Sequence, residues 1–379
     1  MSESVLFVSK PIAPPFHDGS KCLVRDVARN LTRIEPIVMA LPGAPELVPA
    51  SGALRVRAVS AYGAPGGFTP ALSANLRAAA WLFLRSRASV WHFVFAPNPR
   101  TSRAGRMLSR LRKTKVVQTV ASPPRTFERP EHLFFGDTVV AQSTWTRRSI
   151  ERAYEQAGLR PPRLCVIPPP VPEIAVPSAD DVARVRAEIG LDAATNYLIY
   201  PGDLETSAGA ETTALLAERL ARSAPEAVIV FAYRLKSPRA SEVAAELKQR
   251  LDPKRTRFVE NTPNILALMS GARAVVFPVD DLWGKVDLPI VLLEAMELGV
   301  PVIALDRGPL QDLSGVVKVP TLDAEAWERE ASAFLREPAR RASIAESQRQ
   351  ALDLRHRARS VARAYEDSYL ELIAESRGH

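Results

Sequence analysis

The stretch Lys285-Val-Asp-Leu-Pro-Ile-Val-Leu-Leu-Glu-Ala-Met-Glu-Leu-Gly-Val-Pro-Val-Ile-Ala304 carries the clearest chemical signal of the chain. At its centre Glu294 is a carboxylate pinned to a predicted helix between two loops. Pro289 fits a first helical turn, where its missing N–H has no intrahelical partner anyway. Ile290, Leu293, Met296 and Leu298 give an apolar face, and Gly299 then Pro301 stop the helix before a strand at 301–305. The amino end of such a helix presents unpaired N–H groups and the positive end of its dipole, which suits a phosphate-like anion. A lone helical glutamate is usually a solvated surface residue. Only its surroundings make Glu294 a candidate.

Those surroundings repeat one theme. Short apolar runs at 5–9, 36–41, 54–59, 90–95, 115–119, 138–142 and 164–167 alternate with amphipathic patterns at 20–33, 70–86, 101–112 and 144–157. This predicts a mostly parallel sheet with helices outside. Prolines at 161, 162, 168–170, 172 and 177 then interrupt regular structure and predict a semi-rigid linker. Beyond it the alternation restarts, with strands expected at 197–200, 227–233, 256–260, 274–278, 300–305 and 316–319. The matching helices are expected at 209–223, 240–251, 263–271, 290–298 and 323–335, before one long helical pattern at 340–375. We therefore expect an α/β chain with domains at 1–170 and 171–355 and a terminal helix at 356–379. Two doubly wound domains would place ligands at the carboxyl ends of their strands, in a cleft.

At 379 residues, 46% hydrophobic and 24% charged, the chain is long enough for two such cores. Its opening Val5-Leu-Phe-Val8 has no basic flank and reads as a strand, not a signal peptide, and no apolar run is long enough to cross a bilayer. Cys22 and Cys165 lie far apart without metal-ligand spacing and read as small buried residues of a cytoplasmic protein. Charge is uneven: 47–127 has no Asp or Glu while arginine and lysine recur from Arg55 to Arg125, in a chain of net charge +8. Such a one-signed surface attracts anions, although a solvated arginine-rich face is the plainer reading. No nucleic-acid-binding signature or aromatic platform accompanies it, so nucleic acid is not expected; an anionic membrane surface, with peripheral attachment at the inner face, is. Asp280-Asp281 lacks further metal-ligand spacing, and no Gly-x-Ser-x-Gly, phosphate-loop Lys or Gly-x-Gly-x-x-Gly occurs at the expected strand ends. Hydrolase, NTPase and dinucleotide oxidoreductase readings lose support.

Glu294, Ala295, Met296, Gly299, Pro301, Val302, Ile303 and Ala304 resemble the signature of glycosyltransferase family 4, retaining nucleotide-sugar enzymes of the glycosyltransferase group 1. The resemblance implies a GT-B architecture: two Rossmann-like domains facing across a cleft, with a C-terminal helix crossing back to the first. It also implies that Glu294 holds the ribose hydroxyls of the donor, since a carboxylate accepts two hydrogen bonds from a diol. Val5 to Lys21 resembles the family's opening strand and glycine-containing loop, with Gly19 permitting close approach, Ser20 capping the next helix and Lys21 adding a cation for an oxyanion. Trp91-His92-Phe93, Val139 to Arg147, Val166 to Pro170, Tyr200-Pro-Gly202-Asp203 and Phe258-Val259-Glu-Asn261 resemble further stations, the last lining the nucleotide base.

Three departures bear on mechanism. Where the family places a second Glu ahead of Glu294, against the transferred sugar, this chain has Val286; Asp287 is the acidic neighbour taken as its substitute. Where Arg and Lys commonly clamp the donor diphosphate, Gly202 is followed by Asp203 and Glu205. Lys285 is the preferred replacement, with Arg234 or Lys236 as others, because a departing diphosphate requires its charge stabilised. The third is Val120-Ala-Ser-Pro-Pro124 where a His often stands, which leaves His92 or His17 for any acceptor-side role, although a lone His is more often structural. The sequence thus predicts sugar transfer from a nucleotide-diphosphate sugar to a glycan, lipid-linked or small-molecule acceptor. Transfer is expected to be retaining and hexosyltransferase-like, within polysaccharide biosynthesis, with no metal and no cofactor beyond the donor. Catalysis is expected of Asp287 and Lys285. Donor binding is expected of Glu294, Gly202, Pro289, Ile290, Val259 and the Gly19-Ser20-Lys21 loop. The competing reading is a degenerate GT-B-like protein that binds a nucleotide sugar or glycan without transfer.

Overall fold

A computed structural model describes residues 3–14, 16, 18–63, 71–235 and 237–377. They form two compact units, one from residues 1–172, 283–290 and 355–379, the other from 173–282 and 291–354.

The first unit opens with β1 (Ser4–Val8), α1 (Gly19–Ala28), β2 (Glu35–Ala40), β3 (Arg57–Ser60), α2 (Leu72–Arg85), β4 (Val90–Phe95) and α3 (Pro99–Arg112). It continues with β5 (Lys115–Val120), α4 (Pro130–Leu133), β6 (Thr138–Ala141), α5 (Thr144–Gln156) and β7 (Arg163–Val166). Every pairing is parallel, in the order β3-β2-β1-β4-β5-β6-β7. The apolar runs are continuous because both faces are covered. Val5 and Phe7 point into a cluster with α1, while Leu6 points into the opposite cluster with Ala78 and Leu82 of α2.

The second unit holds α6 (Ala179–Glu188), β8 (Tyr197–Pro201), α7 (Gly209–Ser223), β9 (Val228–Tyr233), α8 (Pro238–Arg250), β10 (Thr256–Glu260) and α9 (Ile265–Ser270). After β11 (Ala274–Phe277) come α10 (Ile290–Glu297), β12 (Val302–Leu305), a 3-10 turn at Gly308–Asp312, β13 (Val317–Val319), α11 (Ala324–Arg336) and α12 (Pro338–Arg355). This sheet is also parallel, in the order β10-β9-β8-β11-β12-β13. The buried amide of Gln348 on α12 takes the place of a missing ladder neighbour: its Oε1 accepts from Val302 N at 3.0 Å and its Nε2 donates to Val300 O at 2.9 Å.

Three sequence expectations need correction. The helical pattern at 340–375 is two helices, α12 and α13 (Ala358–Arg377), because the chain turns at His356, which is buried and bonds Pro169 O through Nδ1 at 2.8 Å. The proline run expected as a semi-rigid linker is packed at its end: residues 169–172 are buried, and Val171 N donates to His356 O at 2.7 Å. A further helix, α6, follows those prolines, started by a capping box in which Ser178 and Asp181 satisfy each other's backbone N–H. The pattern from Pro70 begins outside the described residues, and α2 starts at Leu72.

The last helix, α13, packs within the first unit. Val361, Tyr365, Tyr369, Leu372 and Ile373 join the cluster around Val5 and Phe7. Glu366, 1% exposed, accepts from Thr32 N at 2.5 Å and Arg33 N at 2.6 Å, which closes the loop after α1.

Candidate functional site

The 285–304 motif folds as a loop, α10 and β12. Leu292, Leu293, Ala295 and Met296 are buried, whereas Glu294 is half-buried on the second turn. The helix ends as its sequence requires: Gly299 takes φ 70°, Gly299 N donates to Met296 O and Val300 N to Ala295 O, a paired closure that favours glycine. Pro289 and Ile290, both buried, form its amino end, which follows the carboxyl end of β11.

Residues 283–290 pack with the first unit, and this decides the environment of Asp287. Its side chain is fully buried and Oδ2 accepts from Ser143 Oγ at 2.8 Å. Ser143 is the N-cap of α5, where the same oxygen accepts from Thr146 N at 3.0 Å. Asp287, expected at the transferred sugar, ties this segment to the start of α5 through Ser143. Lys285 is half-buried, and Arg125 lies over the Trp283 ring at 3.9 Å. Val286 fills the space above Gly19, where a β-carbon would come within 3.2 Å of it. The close approach that Gly19 permits is therefore to the chain's own Val286.

The cap of α1 is Asp18, not Ser20: Oδ1 accepts from Ser20 N at 2.9 Å and Ser20 Oγ at 2.6 Å, while Oδ2 meets Lys10 Nζ at 2.6 Å. Burial pushes the Asp18 pKa up, but the Lys10 ammonium and the two Ser20 bonds outweigh it, so the carboxyl is held below its ordinary value. An internal carboxylate thus lies at the amino end of α1, beside the Gly19 loop. Lys21 is half-buried beside it. Asp preceding Gly at a helix start was the available signal, since Asp is among the preferred N-caps.

At the carboxyl ends of β5 and β6, Ser122 Oγ and both polar atoms of Gln142 are buried without a hydrogen-bond partner among the described residues. Neither had a signature in the sequence beyond its place after a strand. His92 has a different fate: it lies 1% exposed inside β4, with Nε2 bonded to Thr119 Oγ1 and Nδ1 to Tyr369 Oη, both at 2.7 Å. Burial pushes its pKa down to about 3, so it is neutral and enclosed and cannot serve an acceptor. His17 and Lys236 lie outside the described residues.

In the second unit, Gly202 is a steric requirement: a β-carbon there would collide with Cζ and the hydroxyl of Tyr200. The fully buried Tyr200 ring donates from its hydroxyl to Asp203 O at 2.7 Å, shaping the loop after β8. That loop is braced by carboxylates, since Asp280 Oδ1 accepts from Ala208 N at 2.9 Å and Glu205 Oε1 from Ser237 Oγ at 3.0 Å. Val259 is half-buried on the edge strand β10, next to Phe258, which stacks on Phe231 at 4.8 Å. Arg234 is half-buried after β9. Among the described residues no group of His, Cys, Asp or Glu is arranged to hold a metal ion, and no helix is long and apolar enough to cross a membrane. Cys22 and Cys165 form no disulfide; the first is buried and the second half-buried.

A region containing α10 and these loops has known counterparts. Residues 181–351 match the family model of glycosyl transferases group 1. No curated protein matches the chain by sequence. Among solved structures, HepE of Anabaena, in complex with UDP and glucose, superposes with a TM-score of 0.67 at 17% identity, covering 97% of this chain and 99% of that one. An α,α-trehalose-phosphate synthase (UDP-forming) of Burkholderia xenovorans, in complex with glucose-6-phosphate, gives 0.69 at 14%, covering 97% and 100%. The N-terminal domain of trehalose-6-phosphate phosphatase of Candida albicans gives 0.73 at 12%, covering 98% and 97%. At these identities the likeness is one of fold, and the fold is GT-B.

Proposed function

We propose that this protein is a glycosyltransferase that moves a sugar from a nucleotide-diphosphate sugar onto a sugar-type acceptor. The reading is carried by the half-buried Glu294 on α10, inside the part of the chain that matches glycosyl transferases group 1. Structural neighbours that bind UDP, UDP-glucose or glucose-6-phosphate support it. In this proposal Glu294 accepts hydrogen bonds from the ribose diol, and the amino end of α10 at Pro289 and Ile290 receives the diphosphate. Gly202 supplies backbone, Val259 borders the base and Lys285 neutralises charge as the bond to the leaving phosphate breaks. Asp287 acts as a positioning residue, holding the loop that carries Lys285. The Gly19-Ser20-Lys21 loop contributes Lys21 toward the acceptor. Transfer proceeds with retention and without a metal.

The test is release of nucleoside diphosphate from a panel of uridine, guanosine, adenosine and thymidine diphosphate sugars with sugar acceptors present. Release that disappears in Glu294→Ala, with the melting curve unchanged, supports the proposal. The enclosure of Asp287 and the acids after Gly202 favour a second reading, a donor-binding protein without transfer. A thermal shift matching the roughly 2.7 kcal/mol expected at 100 times the dissociation constant, with no release from any donor, would establish that instead.

A further inference from the structure

The acid-free stretch of the sequence folds into β3, α2, β4, α3 and β5, and two of its helices have an outer face that the sheet does not use. Ala78 and Leu82 of α2 are buried in the core, yet Leu72, Leu76, Phe83 and Leu84 are exposed, Leu72 at 76% and Leu76 at 63%. Leu72, Leu76 and Phe83 share one stripe, since positions four and eleven apart return to the same side of a helix. On α3, which packs against α2, Arg100, Arg103, Met107, Arg110 and Leu111 form a second exposed stripe, with Leu111 at 64%. Arg77, Arg85, Arg100, Arg103 and Arg110 make no ion pair among the described residues. At the end of α3, Arg106, Arg110, Lys113 and Lys115 line a concavity of about 370 Å³ in which Asp137 is the one carboxylate.

Leucine, phenylalanine and methionine left in water beside unpaired arginines are costly for a free surface. A partner that accepts both must be apolar below and anionic above. Nucleic acid would take the arginines and leave the leucines wet. A second copy would set two faces of one charge sign against each other. An anionic phospholipid surface takes both: acyl chains receive the apolar stripe, headgroups pair with the arginines, and the basic concavity seats one phosphate. We infer that the outer face formed by α2 and α3 docks the protein on an anionic membrane surface. This does not rest on sugar transfer, because a chain without that activity would still bind.

The experiment is co-sedimentation of the full chain with vesicles of phosphatidylcholine alone or with phosphatidylglycerol added. Binding is expected only to the anionic vesicles and is expected to weaken at high salt. Arg103→Glu with Arg110→Glu is expected to lower partitioning about tenfold or more. Met107→Ser with Leu111→Ser is expected to lower it at every salt concentration. All four side chains are exposed, so melting temperatures are expected to stay unchanged. In the unaltered chain, hydrogen exchange on vesicle addition is expected to slow at 72–85 and 99–112. No sedimentation, equal binding to neutral vesicles, or protection elsewhere overturns the inference. So does a dimer in sedimentation velocity that the serine variants abolish, or DNA binding that the glutamate variants abolish and the serine variants leave intact.

Discussion

The two units are built on the same parallel sheet with flanking helices, but they are closed by different means. The second is formed from two nearby stretches, 173–282 and 291–354, around an apolar sheet. The first gathers three separated pieces, and polar groups bridge them: Glu366 to Thr32 and Arg33, Tyr369 to His92, and Asp287 to Ser143. Buried polar contacts between distant pieces leave costly orphans when any one piece is missing. The first unit therefore depends on the last residues of the chain, and the second does not.

Deleting 358–377 is the harshest test of that contrast. It strips Val361, Tyr365, Tyr369, Leu372 and Ile373 from the first core, on the order of 10 kcal/mol at about 2 kcal/mol per buried side chain, which rivals the stability of a whole domain. Calorimetry is expected to lose the transition of the first unit and keep that of the second. A single transition abolished altogether would show that the contrast is false.

Acid sharpens it next. His92 ionises near its ordinary value when unfolded, but burial pushes its folded pKa down to about 3. Between those values the unfolded chain binds the extra proton, so this contribution is present above about pH 6.5 and is lost as pH falls. The expected slope is about 1.4 kcal/mol per pH unit, a few kcal/mol in total. Chemical denaturation from pH 7 to pH 4 is expected to weaken the first unit, and His92→Gln to flatten that dependence. His356 shifts in the same direction, from burial first, and adds to the loss of stability on the acid side.

In the second unit the sensitive points are steric. Gly202→Ala drives a methyl into the Tyr200 ring, and overpacking of this kind costs about 2 kcal/mol. The lower transition midpoint is expected in the second unit alone. Smallest is Ser143→Ala, which removes one hydrogen bond to Asp287 and one N-cap, about 1 to 2 kcal/mol together. If Asp287 holds its loop through Ser143, donor turnover also falls in this variant at temperatures where the fold is intact. Unchanged turnover would remove the positioning role.

Much of this was legible in advance because it follows from local patterning. Continuous apolar runs bounded by Gly and Pro located the strands, and Gly299 ended α10 where its conformational freedom is needed. Periodicity alone hides the break at His356, because a helical pattern persists across 340–375; the terminal helix expected from residue 356 on came from the family resemblance, and the bond to Pro169 O holds the turn. Nor was the burial of His92: strand alternation shows which face a residue takes, but not that α13 returns to cover it.

The sequence alone determined the alternation of strands and helices, the carboxylate on α10 and the one-signed charge of 47–127, since each depends on spacing along the chain. Tertiary structure decided which polar groups are spent internally. Asp18 closes α1, Asp287 answers Ser143, and Gly19 and Gly202 accommodate Val286 and Tyr200. Those outcomes depend on partners brought close by folding, and a buried charge or hydroxyl takes whichever partner packing supplies, because leaving it unmet costs more than any local preference.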